Sequence, residues 1–312
     1  MGGTLWIRDL GSTNGTFVNK LRVHRATLLQ SQDILHFGSA EFRVDRRVVS
    51  LPGIAEAMST GIFTPDQALP NQFVSCAAEF DQMIRTRAVV PLFQPIVTMV
   101  DQRVIGYEVL GRGNHPGMPP APLELFDVAE RLGREIELSQ TFREVGLRAA
   151  RELNGGYELF INNHAAEMSR PDAIASLVRA RELAPSVPLV LEVNEKTITD
   201  LQAMRTLRSV LNELNIGLAY DDFGAGQARL LELIAVPPDY LKFDAFLVRD
   251  LHLQAQRFQR AMRVLVQMAL DLGVKPLAEG IETEEEATIC RELGFEVAQG
   301  FYFGRPAQLP TV

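Results

Sequence analysis

Residues 217–226 read Gly-Leu-Ala-Tyr-Asp-Asp-Phe-Gly-Ala-Gly, an apolar run that ends abruptly in two carboxylates and two glycines. Adjacent side chains on a strand point to opposite faces, so Asp221 and Asp222 can serve one site only if the strand stops and the backbone bends there. Gly224 and Gly226 permit such a bend. Because Asp and Gly are also ordinary turn residues, an isolated Asp-Asp pair is more often part of a polar turn than of a functional site. The neighbouring segments are needed to distinguish the two.

Strand-like and helix-like segments alternate on both sides of this stretch. The eight strand-like segments are 92–97, 104–110, 159–162, 189–193, 216–221, 240–244, 274–279 and 297–302. Helical patterns lie between most of them, including 123–132, 141–153, 199–214, 256–272 and 284–293. This order predicts an α/β fold, a closed (β/α)8 TIM-like barrel. An open doubly wound sheet is the alternative, although no glycine-rich nucleotide-binding turn follows the first strand.

The N-terminal segment has a different pattern, with short β runs separated by turn residues. It predicts a small all-β fragment over residues 1–48. Residues 49–72 combine Pro and Gly with small polar residues, which is typical of a linker, and the barrel domain is predicted over 73–312.

The composition excludes several kinds of partner and location. A formal net charge of −8 argues against binding a nucleic-acid polymer or an anionic membrane surface. Two distant cysteines, Cys76 and Cys290, suit a reducing compartment and form neither a disulfide framework nor a zinc pattern. No apolar run reaches the roughly 18 residues of a membrane span, and no signal peptide is recognisable. We therefore expect a soluble, cytoplasmic protein.

Polar or ionisable residues follow seven of the predicted strands, where a barrel of this kind places its catalytic groups. The oxygen-bearing members are Glu108, Asn162, Glu192, Asp221, Asp222 and Glu279. Such a set, without Cys and with His164 only as a neighbour, favours Mg²⁺ or Mn²⁺ over zinc or copper. So many carboxylates cannot share a low-dielectric pocket in ionised form unless cations offset them. We expect a two-metal site in which Asp221 bridges both ions and Asp222 binds the second.

Lys242 is the basic residue of this set. It is expected to orient or deprotonate a metal-held water, or to stabilise the transition state. Alternatively, Lys242 is a strand-end lysine that pairs with Asp244, since the two share a strand face. Glu195 likewise has two interpretations, because a carboxylate there also suits the positive end of the following helix.

Six motifs occur in a characteristic order along the main domain: Phe93-Gln94-Pro95-Ile96-Val97, Glu108-Val109-Leu110-Gly111-Arg112, Asp221-Asp222-Phe223-Gly224, Lys242-Phe243-Asp244, Ala278-Glu279-Gly280-Ile281-Glu282-Thr283 and Gln299-Gly300-Phe301-Tyr302-Phe303-Gly304-Arg305-Pro306. From about residue 80 to 306 the chain resembles the EAL-domain family of cyclic di-GMP phosphodiesterases. The resemblance implies an EAL-type barrel and a metal-dependent hydrolase that opens cyclic di-GMP to linear pGpG.

The resemblance also assigns roles to residues. It implies that Lys242, Glu108 and Glu279 are catalytic and that the six oxygen-bearing residues above hold the metals. Gln94 and Arg112 would contact the substrate, with Gln299 completing that site. Glu195, Glu282 and Asp244 would support the loop after the fifth strand.

Two departures from the family pattern bear on activity. Val109 replaces the central alanine of the Glu-Ala-Leu signature, which keeps the carboxylate and predicts little effect. Gln227-Ala228-Arg229 stands where the family usually has Tyr-Ser-Ser, which predicts altered metal affinity, rate and dimer contact. The resemblance allows a homodimer through the barrel. The alternative function is a catalytically weak or inactive cyclic di-GMP receptor or scaffold.

The N-terminal fragment carries a second resemblance. The loop Gly11-Ser12-Thr13-Asn14-Gly15-Thr16 and the segment 28–38 resemble the C-terminal half of a forkhead-associated domain. In that family the phosphate-contacting Arg and Ser come from earlier loops, whereas Ser12, Thr13 and Asn14 offer only neutral donors. We therefore expect weak or no binding of phosphothreonine peptides.

Overall fold

The computed structural model describes residues 5–9, 16–19, 21–30, 33–37, 40–44, 76–151, 153, 156–168, 173–194, 200–224 and 229–309. The predicted linker, the Ser12-Thr13-Asn14 loop, Glu195, and Gln227 with Ala228 lie outside the described residues. The chain divides into two compact units, Met1–Phe80 and Asp81–Val312. The predicted domain boundaries stay predictions, because the linker is not among the described residues.

The first unit contains short antiparallel strands. They are β1 (Leu5–Ile7), β2 (Thr16–Val18), β3 (Leu21–Arg22), β4 (Thr27–Leu29), β5 (Ile34–Phe37) and β6 (Ala40–Arg43). Strand β1 pairs with β4, and a four-stranded sheet has the order β3-β2-β5-β6. The buried apolar side chains that pack together in this unit are Ile7, Val18, Val23, Leu29, Leu35 and Val44. The prediction of a small all-β fragment is confirmed.

The second unit is built on an eight-stranded closed barrel. Its strands are β7 (Val89–Thr98), β8 (Val104–Gly113), β9 (Glu158–Asn163), β10 (Leu189–Asn194), β11 (Ile216–Phe223), β12 (Tyr240–Phe243), β13 (Lys275–Ala278) and β14 (Val297–Gln299). They follow one another around the barrel in chain order, and β14 closes it against β7. The predicted closed barrel is confirmed, and the open-sheet alternative is wrong.

Strand β7 runs against the other seven. It pairs antiparallel with both β8 and β14, whereas the remaining neighbours are parallel. A tight turn joins β7 to β8, in which Gln102 N donates to Thr98 O (3.0 Å) and Thr98 N donates to Arg103 O (3.0 Å). The first βα unit of a regular (β/α)8 barrel is therefore replaced by a hairpin. Gln94 consequently lies beside Glu108, its register partner on β8.

Helices accompany the barrel strands. They are α1 (Cys76–Thr86), α2 (Pro122–Arg131), α3 (Glu135–Ala149), α4 (Ala165–Met168), α5 (Ala173–Leu183), α6 (Leu201–Glu213), α7 (Leu230–Ala235), α8 (Ala245–Val248), α9 (Gln256–Asp271) and α10 (Glu284–Leu293), with a 3-10 turn at Leu251–Leu253. Their buried faces follow helical spacing, as in α6, where Met204, Leu207 and Leu211 are buried. Among the described residues, no helix combines the length and apolarity needed to cross a membrane.

Glu286 fixes the start of α10. Its carboxylate accepts hydrogen bonds from the backbone N–H groups of Asp250 (2.9 Å), Glu282 (2.8 Å) and Thr283 (3.2 Å), and the Thr283 side chain returns the bond to Glu286 N. In the last of these bonds Glu286 N donates to Thr283 Oγ1 (3.2 Å), so the arrangement is a capping box extended by a contact from the segment after α8. Burial alone would raise the pKa of Glu286, but the three N–H donors outweigh it and lower the pKa below its ordinary value of about 4.5.

Glu286→Gln should lower the free energy of unfolding at pH 7 by about 1 kcal/mol. For a domain of this size the melting temperature should then fall by about 2–4 °C. Since the folded-state pKa is depressed, the carboxylate stabilises above about pH 4.5 and loses this effect as pH falls through the folded pKa. The difference in melting temperature between wild type and variant should therefore shrink below pH 4.5. Exposed Glu285, in the same helical turn, gives the control Glu285→Gln, and a pH-independent difference for Glu286→Gln would contradict the prediction.

Candidate active site

A β-bulge places both aspartates of the Asp-Asp pair at the site. Tyr220 pairs with Leu241 and Phe223 pairs with Phe243, so Asp221 and Asp222 together oppose Lys242 on β12. Asp222 has a left-handed backbone (φ 59°). Gly224, which follows the last residue of β11, also has a positive φ (92°), so the backbone bends at both positions. Short polar side chains such as Asp tolerate that conformation better than most.

Lys242 lies at the centre of the carboxylates. Its Nζ is 2.5 Å from Glu192 Oε1, 2.9 Å from Glu279 Oε1 and 3.0 Å from Asp221 Oδ1, and 4.0 Å from Glu108 Oε2. The lysine side chain is 1% exposed. Its partners come from four different strands or strand ends, as the barrel predicts.

Asp244 is not the partner of Lys242. Strand β12 ends at Phe243, and the Asp244 carboxylate accepts a hydrogen bond from Phe246 N (2.7 Å) at the start of α8. The alternative interpretation of Lys242 as a lysine paired with Asp244 is therefore wrong. Because β12 ends at Phe243, Asp244 does not share a strand face with Lys242.

Glu108 connects the carboxylates to a set of amides. Asn162 Nδ2 donates to its Oε1 (3.1 Å), and Gln299 Nε2 donates to its Oε2 (2.6 Å). Gln299 Nε2 also lies 3.1 Å from Gln94 Oε1, and Gln94 Nε2 donates to Gly304 O (3.2 Å). The amides thus fix the orientation of Glu108 and extend the site to the two glutamines.

Glycine is required immediately after Gln299. A Cβ atom on Gly300 would lie 2.0 Å from the carbonyl oxygen of Ile281 and 2.3 Å from its nitrogen. Because the obstacle is backbone, a side chain here would force apart the last barrel strand and the loop that follows Glu279.

Three carboxylates form a group suited to a metal ion. One oxygen each of Asp221, Asp222 and Glu279 lies within 4.8 Å of the other two. Asp222 Oδ2 additionally accepts a hydrogen bond from Asn194 Nδ2 (2.5 Å). Glu192 Oε2 is buried without a hydrogen-bond partner, whereas Glu192 Oε1 and Asp221 Oδ1 lie 2.5 and 3.0 Å from Lys242 Nζ. A cluster of carboxylate oxygens with one buried oxygen left without a partner suits a hard divalent cation.

The electrostatics of the site show an excess of negative charge. Burial raises the pKa of Glu192 and of Glu279 well above the ordinary range, despite the nearby ammonium of Lys242. Burial and then repulsion by Asp221 raise the pKa of Asp222. Burial alone would lower the pKa of Lys242, but the surrounding carboxylates, with Asp221 first, outweigh it and raise that pKa well above its ordinary value. Lys242 is therefore an ammonium ion at neutral pH.

A cavity of about 540 Å³ opens beside the carboxylates. Its polar lining includes Glu108, Asn162, Glu192, Asp221 and Arg112. Phe126 and His164 line its other side, with their rings stacked 5.2 Å apart. The Arg112 guanidinium donates to Gly111 O (2.8 Å), which holds the side chain at the strand end. The cavity therefore combines carboxylates, the two arginines Arg112 and Arg143, and aromatic side chains.

The structure brings most of the predicted site residues together, whereas Glu282 and Asp244 make their side-chain contacts with other groups. Glu282 is exposed and pairs with Arg249 at 2.5 Å. Asp244 caps α8, close enough to Asp222 to contribute to its raised pKa. The loop-supporting roles of Glu282, Asp244 and Glu195 stay predictions.

Asn194 is a site residue that the sequence interpretation missed. It lines the cavity, contacts Asp222, and is the register partner of Asp221 on the neighbouring strand. The signal was present in the sequence, because Glu192 and Asn194 are two residues apart and must share one face of β10.

Comparison with known families identifies this barrel. The model of the EAL domain matches residues 77–306. The chain belongs to the EAL domain family. A second match, to the model of the FHA domain, covers residues 1–38.

Relatives of the EAL barrel include proteins named as cyclic di-GMP phosphodiesterases. RocR, a cyclic di-GMP phosphodiesterase of Pseudomonas aeruginosa, is 30% identical over 69% of this chain and 56% of its own length. A solved complex of the P. aeruginosa phosphodiesterase MucR with cyclic di-GMP has a TM-score of 0.67 at 28% identity, over 74% of this chain and 96% of that chain. The manganese and cyclic di-GMP complex of Klebsiella pneumoniae BlrP1 has a TM-score of 0.63 at 30% identity, over 77% of this chain and 57% of that chain.

Most relatives are longer than this chain. The chain spans 28% to 56% of the length of eight curated proteins that it matches. The similarity therefore concerns the EAL barrel as one part of larger proteins.

Proposed function

We propose that the EAL barrel of this chain is a metal-dependent phosphodiesterase that hydrolyses cyclic di-GMP to linear pGpG. The observation that carries the proposal is the buried Lys242 ammonium held between Glu192, Asp221 and Glu279, beside a cavity that contains an arginine. Similarity to proteins named as cyclic di-GMP phosphodiesterases supports the choice of substrate.

The charge of the site supports a pair of divalent cations. Five carboxylates (Glu108, Glu192, Asp221, Asp222 and Glu279) face one ammonium, which leaves an excess of four negative charges when all are ionised. Two divalent cations would balance this excess. Mg²⁺ and Mn²⁺ suit the all-oxygen donor set, and these five residues with the Asn162 amide oxygen would hold them. Bound there, such ions would supply a water of lowered pKa and neutralise phosphate charge.

Lys242 acts as a hydrogen-bond donor in this proposal. With divalent cations bound to the carboxylates that Nζ contacts here, its hydrogens would be available to the attacking water and to the charge that develops on the phosphoryl oxygens. The water oxygen bonds to phosphorus, one P–O3′ ester bond breaks, and the 3′ oxygen leaves with a proton. The product keeps the phosphate at its 5′ end, as in pGpG.

Gln94, Gln299 and Arg112 are proposed to bind the substrate. Gln299 Nε2 donates to both Gln94 Oε1 and Glu108 Oε2, so the two glutamine amides are already oriented before substrate enters. The Arg112 guanidinium would donate hydrogen bonds to a phosphate oxygen of the substrate near the carboxylates. A homodimer through the barrel, cytoplasmic location and the lack of phosphothreonine peptide binding stay predictions.

The proposal is tested by incubating the full chain with cyclic di-GMP and either Mg²⁺ or Mn²⁺, and by separating the products chromatographically. We expect pGpG in at least one metal and none after chelation with EDTA. Binding of cyclic di-GMP without product in either metal would overturn the enzyme proposal and leave the receptor alternative.

A further inference from the structure

A buried ion pair lies directly behind the candidate metal ligand Asn162. Arg143 on α3 donates through Nη2 to both carboxylate oxygens of Glu167 on α4, at 2.7 and 2.9 Å. The two side chains are 4% and 2% exposed. Arg143 Nη1 donates to Ser176 Oγ (2.9 Å), and Ser139 Oγ donates to Glu167 Oε1 (2.6 Å). The pair is thus enclosed by α3, α4 and α5.

The same two side chains hold the turn that follows β9. Arg143 Nη2 also donates to the Asn162 carbonyl oxygen (3.3 Å) and lies 3.4 Å from Asn163 Oδ1. Glu167 Oε1 accepts a hydrogen bond from His164 N (3.2 Å). Three consecutive residues, beginning with Asn162, are therefore fixed by one arginine and one glutamate.

Stability alone does not account for this arrangement. Removing two charges from water costs about as much as their attraction returns, so a buried ion pair contributes little net stability compared with apolar packing. Arg143 Nε, in addition, is buried without an acceptor. A charged pair that contributes little stability yet contacts the backbone at Asn162 is better explained by the geometry that it imposes.

We propose that Arg143 and Glu167 are positioning residues that set the direction of the Asn162 side chain toward the metal site. The inference rests on the proposed function, in which Asn162 is a metal ligand. Asn162 Nδ2 already donates to Glu108 Oε1, so its amide oxygen is turned away from Glu108 by that bond. Arg143 contacts the backbone carbonyl of the same residue, so Asn162 is held both at its backbone and at its side-chain amide. Supporting groups of this kind typically change metal affinity by 10-fold to 100-fold.

Arg143 is not proposed to touch the substrate. Although it lines the cavity, its guanidinium is almost fully enclosed, and both terminal nitrogens already donate to protein oxygens. The effect of replacing it should therefore appear in the metal affinity of the substrate-free protein.

The test compares the full chain with the double variant Arg143→Met and Glu167→Met, which removes both charges and leaves neither buried alone. Arg143→Lys is a second variant that keeps the charge but has fewer donors for Ser176, Glu167 and Asn162. The matched control, Arg208→Met with Asp239→Asn, removes the ion pair of α6 with Asp239, whose distances are 2.6 and 2.9 Å. Mn²⁺ affinity is measured by calorimetry without substrate, and amide hydrogen exchange is measured over residues 158–168.

We expect Mn²⁺ binding by the double variant to weaken by about 10-fold to 100-fold, with faster exchange at 162–168. Arg143→Lys should fall between the double variant and wild type, and the control should match wild type in both measurements. Unchanged Mn²⁺ affinity in both Arg143 variants would overturn the proposal. If wild type itself binds no Mn²⁺, the proposed function fails separately. The positioning role is then tested by amide hydrogen exchange alone, and unchanged exchange in the double variant would overturn it.

Discussion

Replacing Lys242 by methionine is expected to lower kcat for cyclic di-GMP by at least about 1,000-fold. Lys242 is the only basic group within 4 Å of Glu192, Asp221 and Glu279 in the described part of the chain. The measurement is steady-state hydrolysis with saturating Mn²⁺. The control Lys275→Met removes a barrel lysine that contacts Tyr240 instead of the site carboxylates.

Lys242→Met should also lower the free energy of unfolding of the metal-free protein. Without metal, Lys242→Met leaves buried carboxylates uncompensated, which costs about 3–5 kcal/mol. Mn²⁺ should therefore raise the melting temperature of Lys242→Met more than that of wild type. A variant with the full wild-type rate, or one that Mn²⁺ stabilises less than wild type, would contradict the role given to Lys242.

Glu108→Gln is expected to weaken Mn²⁺ binding and to lower turnover by more than about 100-fold. Both oxygens of Glu108 accept hydrogen bonds, from Asn162 and from Gln299. A glutamine side chain places an NH₂ group against one of these donors, so either the Asn162 amide or the Gln299 amide must turn. Turning Gln299 also breaks its contact with Gln94, and KM for cyclic di-GMP should rise as well.

The control for Glu108→Gln is Glu144→Gln, which removes a carboxylate on α3 that pairs with Arg87 and Arg148 outside the site. It should leave kcat and Mn²⁺ affinity unchanged. Retention of wild-type Mn²⁺ affinity by Glu108→Gln would show that this carboxylate does not hold a metal.

The eight strands and most of the carboxylate cluster were predictable from the sequence, for one physical reason. Parallel strands in a barrel bring their carboxyl ends to one edge, so Glu192, Asp221 and Glu279 converge although they are far apart in the chain. The antiparallel direction of β7 was not predictable from alternation, because apolar periodicity carries no information about strand direction. Only the short polar turn before Val104 indicates a hairpin.

Other parts of the site could not be predicted because they depend on local backbone geometry and on helix packing. Asp244 was predicted to share a strand face with Lys242, but β12 ends between them and the residue caps a helix. Arg143 and Glu167 carried no signal, since a charged residue in a helical pattern usually faces solvent. Their burial arises from packing among three helices, which a single sequence does not reveal.

Hydrolysis in ¹⁸O-labelled water, followed by mass spectrometry of the product, tests the central claim most directly. The full chain with Mn²⁺ and cyclic di-GMP should yield pGpG that carries one ¹⁸O atom on its 5′ phosphate, since the attacking oxygen comes from water. Formation of no product, or of pGpG without the label, would contradict the claim that this EAL barrel is a metal-dependent phosphodiesterase.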